Sequence, residues 1–375
     1  MITNTRLRTI CLLVLVLPLS AAAIDIQEGR LSIDGFGSWG FGITNFPNRY
    51  SVAYPSGNFG NGDFALAITA RLSERAVTGA QIRLVPRDGT VRLDWVFGEW
   101  RFSDRARLRL GIVKHPIGIY GEVPRVGTLR PFYRLPESIY GSTEFTADGV
   151  KGVSLSGTLQ GVSAWSLSYD LYGGAMTVPA TNIVDKVLAP EALRPGGVVL
   201  NTTNEVKYIV GGRLIANSPV DGLEIRLSSY GAPATAVDTP RFVIGPSIQY
   251  IGEKWSAQAE YFFFYENGNQ ADERQRAHAA YLQVAYFVTE HIQLAALVDF
   301  FETRVPTGQR SSLFDHHELG VGINYWFNPG MVVKLSGHSI DGNRFARPSP
   351  LDDALLSGSL DRHTLAAILS IQFSF

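Results

Sequence analysis

Apolar and polar side chains alternate along short segments of this 375-residue chain, and this alternation limits the folds open to it more than any other feature. The segment VRLDWVF, residues 91–97, sets Val91 and Leu93 against Arg92 and Asp94. Because successive side chains of a strand point to opposite faces, a period of two predicts β-strands with one apolar face. About sixteen such strands are predicted. They cover residues 31–41, 64–72, 78–85, 91–97, 107–113, 148–159, 162–172, 205–216, 222–230, 241–251, 254–265, 277–288, 290–301, 317–327, 330–340 and 362–375.

The connections between these strands alternate in length. Those that follow even-numbered strands are short, and most of those that follow odd-numbered strands are long. Short turns at one end and long loops at the other are typical of bacterial outer-membrane barrels. The short turns are Ser73 to Ala76, Ser103 to Ala106, Gln160-Gly161, Ser218 to Asp221, Gly252-Glu253, Thr289 and Asn328-Pro329, and the long loops are residues 42–62, 115–147, 173–204, 231–240, 266–276, 302–316 and 341–361.

The fold class follows from the needs of a sheet in lipid. Strands of about ten residues suit a tilted crossing of a bilayer, and a sheet in lipid must close so that every backbone N–H and C=O finds a partner. A soluble sandwich or propeller also has alternating strands, but it does not explain the loop asymmetry. We therefore predict an all-β fold, a transmembrane antiparallel β-barrel of about 16 strands. Its predicted aromatic belt consists of Trp39, Phe41, Trp95, Trp255, Tyr325, Trp326 and Phe327.

The first residues have the pattern of a secretory signal. Two arginines precede an apolar run at residues 10–19, and small residues follow at 20–23. This order is typical of a cleaved signal peptide, and the run is too short for a membrane-spanning helix. Residues 1–23 are therefore predicted to be a signal peptide, and residues 24–375 an exported barrel.

Residues 115–147 interrupt the alternation between two predicted strands. The segment has neither a helical nor a strand period, and it carries four prolines and six charged residues. A structureless connection of about thirty residues in a compact domain is usually functional. We therefore expect an inward-folded third extracellular loop that constricts a pore. Its charged residues are Glu122, Arg125, Arg130, Arg134, Glu137 and Glu144.

The polar faces of the neighbouring strands carry an excess of basic residues. A sixteen-stranded barrel leaves an aqueous channel, so these residues would line the pore wall. If loop glutamates face wall arginines across a narrow gap, the field runs across the pore and orients dipolar solutes. This pattern predicts passive diffusion of small hydrophilic solutes with a mild preference for anions. The wall residues are Arg71, Arg83, Arg92, Asp94, Arg107 and Arg109.

The predicted signal, the strand number, the long third loop and the terminal Phe375 together resemble the Gram-negative outer-membrane porins over nearly the whole mature chain. The resemblance implies an outer-membrane barrel in contact with lipid and lipopolysaccharide, a third loop that narrows the pore, and association into a homotrimer. The second long-end loop, Pro86 to Gly89, is shorter than the latching loop of general porins, so a trimer would rest on the barrel walls. The loop text also looks like that of proteobacterial porin-like proteins at Lys114, Pro116, Gly118, Tyr120, Glu122, Arg130, Pro131, Pro136 and Tyr140.

Other classes of function find less support. A hydrolase needs a nucleophile, a base and an orienting group in one place, and His316-His317-Glu318 is the only histidine cluster. Adjacent residues of a strand point to opposite faces, so we predict no enzyme activity, metal or cofactor there. The formal net charge of −1 gives no reason to expect a nucleic-acid partner. The alternative is a barrel for apolar-molecule transport, or for adhesion or scaffolding with a narrow or blocked lumen.

Overall fold

The computed structural model describes residues 24–26, 30–45, 48–50, 52–85, 89–141, 145–159, 164–181, 201–233, 240–267, 274–304, 315–345 and 361–375. The predicted signal peptide and Glu144 lie outside these residues. The strands are β1 (Ile24–Ile26), β2 (Leu31–Thr44), β3 (Asn58–Arg71), β4 (Ala76–Val85), β5 (Thr90–Ser103), β6 (Ala106–Lys114), β7 (Gly149–Leu159), β8 (Ser166–Thr181), β9 (Asn201–Asn217), β10 (Leu223–Ala232), β11 (Arg241–Ile251), β12 (Trp255–Asn267), β13 (Arg274–Phe287), β14 (Ile292–Arg304), β15 (Asp315–Asn328), β16 (Met331–Asp341) and β17 (His363–Ser374). Two short helices, Gly127–Leu129 and α1 (Glu137–Tyr140), lie between β6 and β7.

Strands β2 to β17 form a closed antiparallel barrel. Each strand pairs with its neighbours in sequence, and β17 pairs with β2 in a register that sets Ile371 opposite Trp39. The backbone of Gly35 donates to and accepts from that of Phe375, at 2.9 and 3.0 Å, which completes the seam. The predicted barrel of about 16 strands is therefore confirmed, with β1 as a short addition that pairs with the start of β2.

The outer surface of the barrel is apolar. Alternate side chains of β17 point outward, with Leu365 52% and Leu369 43% exposed, while Ile368 between them is buried. Trp39 and Ile43 continue the same surface on β2. Such a surface suits contact with lipid, whereas a soluble protein would cover an apolar surface of this extent. In the described ranges no helix is long and apolar enough to cross a membrane.

A bulge in β5 reverses part of the predicted inward and outward assignment. Gln81 of β4 pairs with Trp95 and Ile82 pairs with Leu93, which leaves Asp94 as an extra residue. Asp94 and Trp95 therefore both reach the interior, where the amide of Gln81 donates to Asp94 at 2.8 Å and accepts from the Trp95 indole at 3.0 Å. The prediction that Trp95 belongs to the outer aromatic belt was wrong, because an inserted residue shifts the period of two.

Gly111 of β6 tests how closely β5 and β6 approach. We expect Gly111→Ala to destabilise the barrel by about 1 to 3 kcal/mol, because its φ of +136° is strained for other residues and an added Cβ would lie 2.3 Å from the Val96 carbonyl oxygen. The measurement is the urea midpoint of the compact band in gel electrophoresis of the refolded protein. The control is Gly98→Ala on the adjacent strand, where an added Cβ meets nothing within 4 Å. Equal midpoints for the two variants would contradict the expectation.

Candidate functional site

The segment from His115 to Ala147, here called the inner loop, lies inside the barrel. Most of its described residues are buried, including Ile117, Tyr120, Phe132 and Ile139. These side chains cannot pack against one another alone, because the segment forms only two short helical turns. They pack instead against inward-facing side chains of the wall. The ring of Phe145, for example, contacts those of Phe262, Phe264 and Phe301.

Glu260 of β12 is the main acceptor for the first part of the inner loop. Its carboxylate accepts the backbone N–H of Ile119 at 2.7 Å and the hydroxyl of Tyr140. The Tyr140 oxygen in turn accepts the backbone N–H groups of Ile119 and Tyr120, at 2.9 and 3.0 Å. Ser247 and Tyr281 donate to the same carboxylate from neighbouring strands, at 2.6 and 2.9 Å. One buried wall residue thus connects both ends of the inner loop.

Two wall arginines hold the loop backbone at Gly118. Arg226 of β10 donates to the Gly118 and Ile119 carbonyls, each at 3.2 Å, and Arg213 of β9 reaches the Gly118 carbonyl at 3.4 Å. The φ of Gly118 is +57°, and an added Cβ would lie 2.4 Å from the Tyr140 hydroxyl. Glycine is therefore required here both for its conformation and for its size.

Arg213 also pairs with Glu122 of the inner loop and with Asp170 of β8, the latter at 2.7 Å. Burial alone would raise the pKa of the Glu122 carboxyl, but the charge and hydrogen bond of Arg213 outweigh burial and hold the pKa below its usual value. Glu122 is therefore ionised and forms an ion pair with Arg213 of the wall.

The second half of the loop is held by carbonyl contacts with the last strands. The buried Nζ of Lys334 donates to the Gly127 carbonyl at 2.9 Å and also to that of Arg130. Asn324 and Gln372 donate to the carbonyls of Pro131 and Tyr133, at 2.9 and 3.2 Å. Donors from the wall thus satisfy a backbone that forms little secondary structure of its own.

The space that the inner loop leaves open is a cavity of about 570 Å³ on the side of β2 to β8. Among the described residues its lining carries six basic side chains and three acidic ones, a formal excess of three positive charges. Burial and the charge of Arg134 lower the pKa of Arg130 to about 10, so Arg130 remains a cation at neutral pH. The charged lining residues are Arg83, Arg92, Arg125, Arg130, Arg134, Lys151, Asp63, Asp94 and Asp148.

The structure brings several of the predicted site residues together at this cavity. Arg125 of the loop lies 2.9 Å from Asp148, 3.7 Å from Asp94 and 3.9 Å from Asp63. Arg83 pairs with Asp63 at 2.6 Å. Each of these distances joins a guanidinium nitrogen to a carboxylate oxygen. Loop and wall charges therefore meet across the cavity in one connected group.

The other predicted residues lie elsewhere. Arg109 pairs with Glu99 at 2.7 Å, and Arg107 and Arg71 lie towards the short-turn ends of β6 and β3, away from the residues that line the cavity. Glu137 pairs with Arg134 within the loop at 2.9 Å. Two described loop glutamates thus pair with Arg213 and Arg134, and neither lines the cavity. The expected arrangement, loop glutamates facing the wall arginines of β3 to β6, differs from the observed one, in which the loop presents arginines.

Sequence reasoning missed the wall residues that hold the loop. Arg213, Arg226, Glu260 and Lys334 each interrupt an apolar run at alternate positions, so the period of two does place them inward. The period of two does not identify the loop residue that each of these side chains contacts. Ile119 and Glu260 are 141 positions apart, and Lys334 is 207 positions from Gly127.

Glu260→Ala is expected to loosen the inner loop, because a buried donor left without its acceptor costs about 1 to 3 kcal/mol. Hydrogen exchange at the amides of Ile119 and Tyr120 should become about 10- to 100-fold faster. The control is Glu302→Ala, which removes the partner of Arg304 at the end of β14. Unchanged exchange in Glu260→Ala, or equal acceleration in the control, would contradict the role of Glu260.

Comparison with solved structures agrees with this architecture. OmpF of Salmonella typhi superposes with a TM-score of 0.61 at 10% identity, covering 94% of this chain and all of that one. OmpT, an outer membrane protein of Vibrio cholerae, gives 0.58 at 10% identity over 94% and 99%, and a further OmpT structure is a trimer form. An anion-selective porin from Comamonas acidovorans gives 0.56 at 9% identity over 92% and 99%. The sequence matches no protein-family model and no curated protein. The chain therefore has the sixteen-stranded barrel fold of bacterial porins, as predicted.

Proposed function

We propose that this protein is an outer-membrane porin through which small hydrophilic solutes diffuse passively, with a mild preference for anions. The observation that carries the proposal is the cavity between the inner loop and β2 to β8, with its excess of basic side chains. An aqueous space inside a lipid-facing barrel is a path for polar solutes. Its volume of about 570 Å³ is consistent with small molecules or hydrated ions.

The anion preference would arise from the net charge of the lining. Arg125 is shared among three aspartates, so its charge is largely balanced there. The remaining basic groups outnumber the acidic ones, and a basic constriction raises the local concentration of anions. The three aspartates keep the preference mild, because they lower the cost of bringing a cation to the same place.

The proposal includes the biology that the fold implies. Residues 1–23 act as an export signal, and the mature barrel contacts lipid and lipopolysaccharide. Three copies associate through their barrel walls, and the trimer form of OmpT supports this association by analogy. A channel role requires no catalytic group or cofactor, so we propose that the protein is not an enzyme. Apolar transport has less support, because the cavity is rich in charged groups.

Removal of the inner-loop segment Val123 to Ser138, replaced by a short Gly/Ser linker, tests whether the loop constricts the pore. Single-channel currents of the refolded protein in planar bilayers should show stable ohmic steps for the wild type and several-fold larger steps for the deletion. The deletion also removes three arginines of the lining, so the anion preference should fall. Silence from both proteins, with the barrel folded, would support the adhesion or scaffolding alternative.

Arg125→Glu tests the origin of the charge preference. The substitution lowers the formal excess at the lining from three positive charges to one and places a carboxylate beside Asp63, Asp94 and Asp148. The reversal potential across a salt gradient should therefore move towards cation preference. Arg75→Glu, in the exposed short turn between β3 and β4, is the control and should leave the potential unchanged. Cation preference in the wild type would refute the anion part of the proposal.

A further inference from the structure

A buried cluster on β14 and β15 lies apart from the cavity. Asp299 pairs directly with Glu318 across the two strands, and His316 lies on the same face two residues before Glu318. All three side chains are inward, and their side-chain exposures are 0%, 5% and 0% for Asp299, Glu318 and His316. His317, between them, points outward and is exposed. The sequence prediction considered the two adjacent histidines and overlooked the pair at positions 316 and 318.

The separations within this cluster match a tetrahedral metal site. Nε2 of His316 lies 3.4 Å from Oδ2 of Asp299 and 3.3 Å from Oε2 of Glu318, and one ligand atom from each residue lies within 4.8 Å of the others. Around Zn²⁺ with bonds of about 2.0 to 2.2 Å, tetrahedral ligand atoms lie about 3.3 to 3.6 Å apart. A charge-assisted hydrogen bond would be shorter, about 2.7 to 2.9 Å.

The surroundings of the cluster also favour a cation. Among the described residues, buried Oδ1 of Asp299 has no hydrogen-bond partner, so one buried acceptor is left unsatisfied. Glu318 uses its other oxygen to contact Nδ1 of His338 at 2.5 Å, and His338 contacts Ser336 at 2.8 Å. Such outer contacts orient metal-binding carboxylates. The Tyr50 hydroxyl donates to Oε2 of Glu318 at 2.8 Å and adds a further oxygen beside the cluster.

We propose that Asp299, His316 and Glu318 bind one Zn²⁺ ion, a structural site that fastens the long-loop segments to the barrel wall. Asp299 also accepts the backbone N–H of Ser138, at 3.1 Å, at the start of α1 in the inner loop. Tyr50 belongs to the connection between β2 and β3. The metal would therefore join β14, β15, the inner loop and the first long loop at one point, independently of any solute path.

The test is refolding of untagged protein with Zn²⁺ or with a chelator, because the buried side chains leave no direct access in the folded barrel. After dialysis against chelator, elemental analysis should find close to one zinc per chain in the wild type and none in His316→Ala. Thermal unfolding of the zinc-refolded wild type should occur at a higher temperature than that of the chelator-refolded protein. His317→Ala, which alters the neighbouring outward side chain, is the control and should retain zinc.

A Co²⁺-refolded sample adds a readout of coordination, since tetrahedral Co²⁺ absorbs strongly in the visible range. If His316→Ala does not fold, Asp299→Asn and Glu318→Gln replace it, because they keep shape and remove charge. Absence of zinc from the folded wild type would overturn the proposal and leave the cluster as an ion-pair network. Equal zinc content in the wild type and in a folded ligand variant would overturn it as well.

Discussion

Lipid offers no hydrogen-bond partners, so every backbone polar group of this sheet has to be satisfied within the protein. The pairing of β17 with β2, completed by the reciprocal contacts of Gly35 and Phe375, meets that requirement at the one place where chain order does not provide a neighbour. The apolar outer surface follows from the same constraint. The polar side chains, excluded from that surface, are directed inward and become available to bind a loop and to line a cavity.

The inner loop would otherwise bring many unsatisfied backbone groups into the barrel. Wall side chains provide partners for these backbone groups. Glu260 accepts a hydrogen bond from a backbone N–H of the loop, and Arg226, Lys334 and Asn324 donate hydrogen bonds to loop carbonyls. These hydrogen bonds from the wall replace the secondary structure that the prolines of the loop prevent. The position of the loop is therefore determined by the wall as much as by the loop itself.

The parts of this structure that sequence could predict are those with a local cause. Period-two alternation predicted each of the sixteen barrel strands, because it reflects the backbone geometry of each strand alone. The bulge at Asp94 was not predicted, because one inserted residue reverses the faces of Trp95 and Phe97 without changing the local sequence pattern. The contacts between the inner loop and the wall were not predicted for a different reason. Charged residues such as Glu260 and Lys334 were placed inward by alternation, but their partners depend on the closed three-dimensional arrangement.

The inner loop divides the barrel interior unequally. Strands β9 to β17 supply most of the described side chains that bind the loop, whereas β2 to β8 border the open cavity together with the loop. The two halves of the wall are therefore under different constraints. In the pore proposed above, substitutions at most positions on β3 to β7 would alter the charge of the cavity, while those on β9 to β17 would displace the loop and change the aperture. In such a pore, permeant charge and permeant size would depend on different halves of the barrel wall.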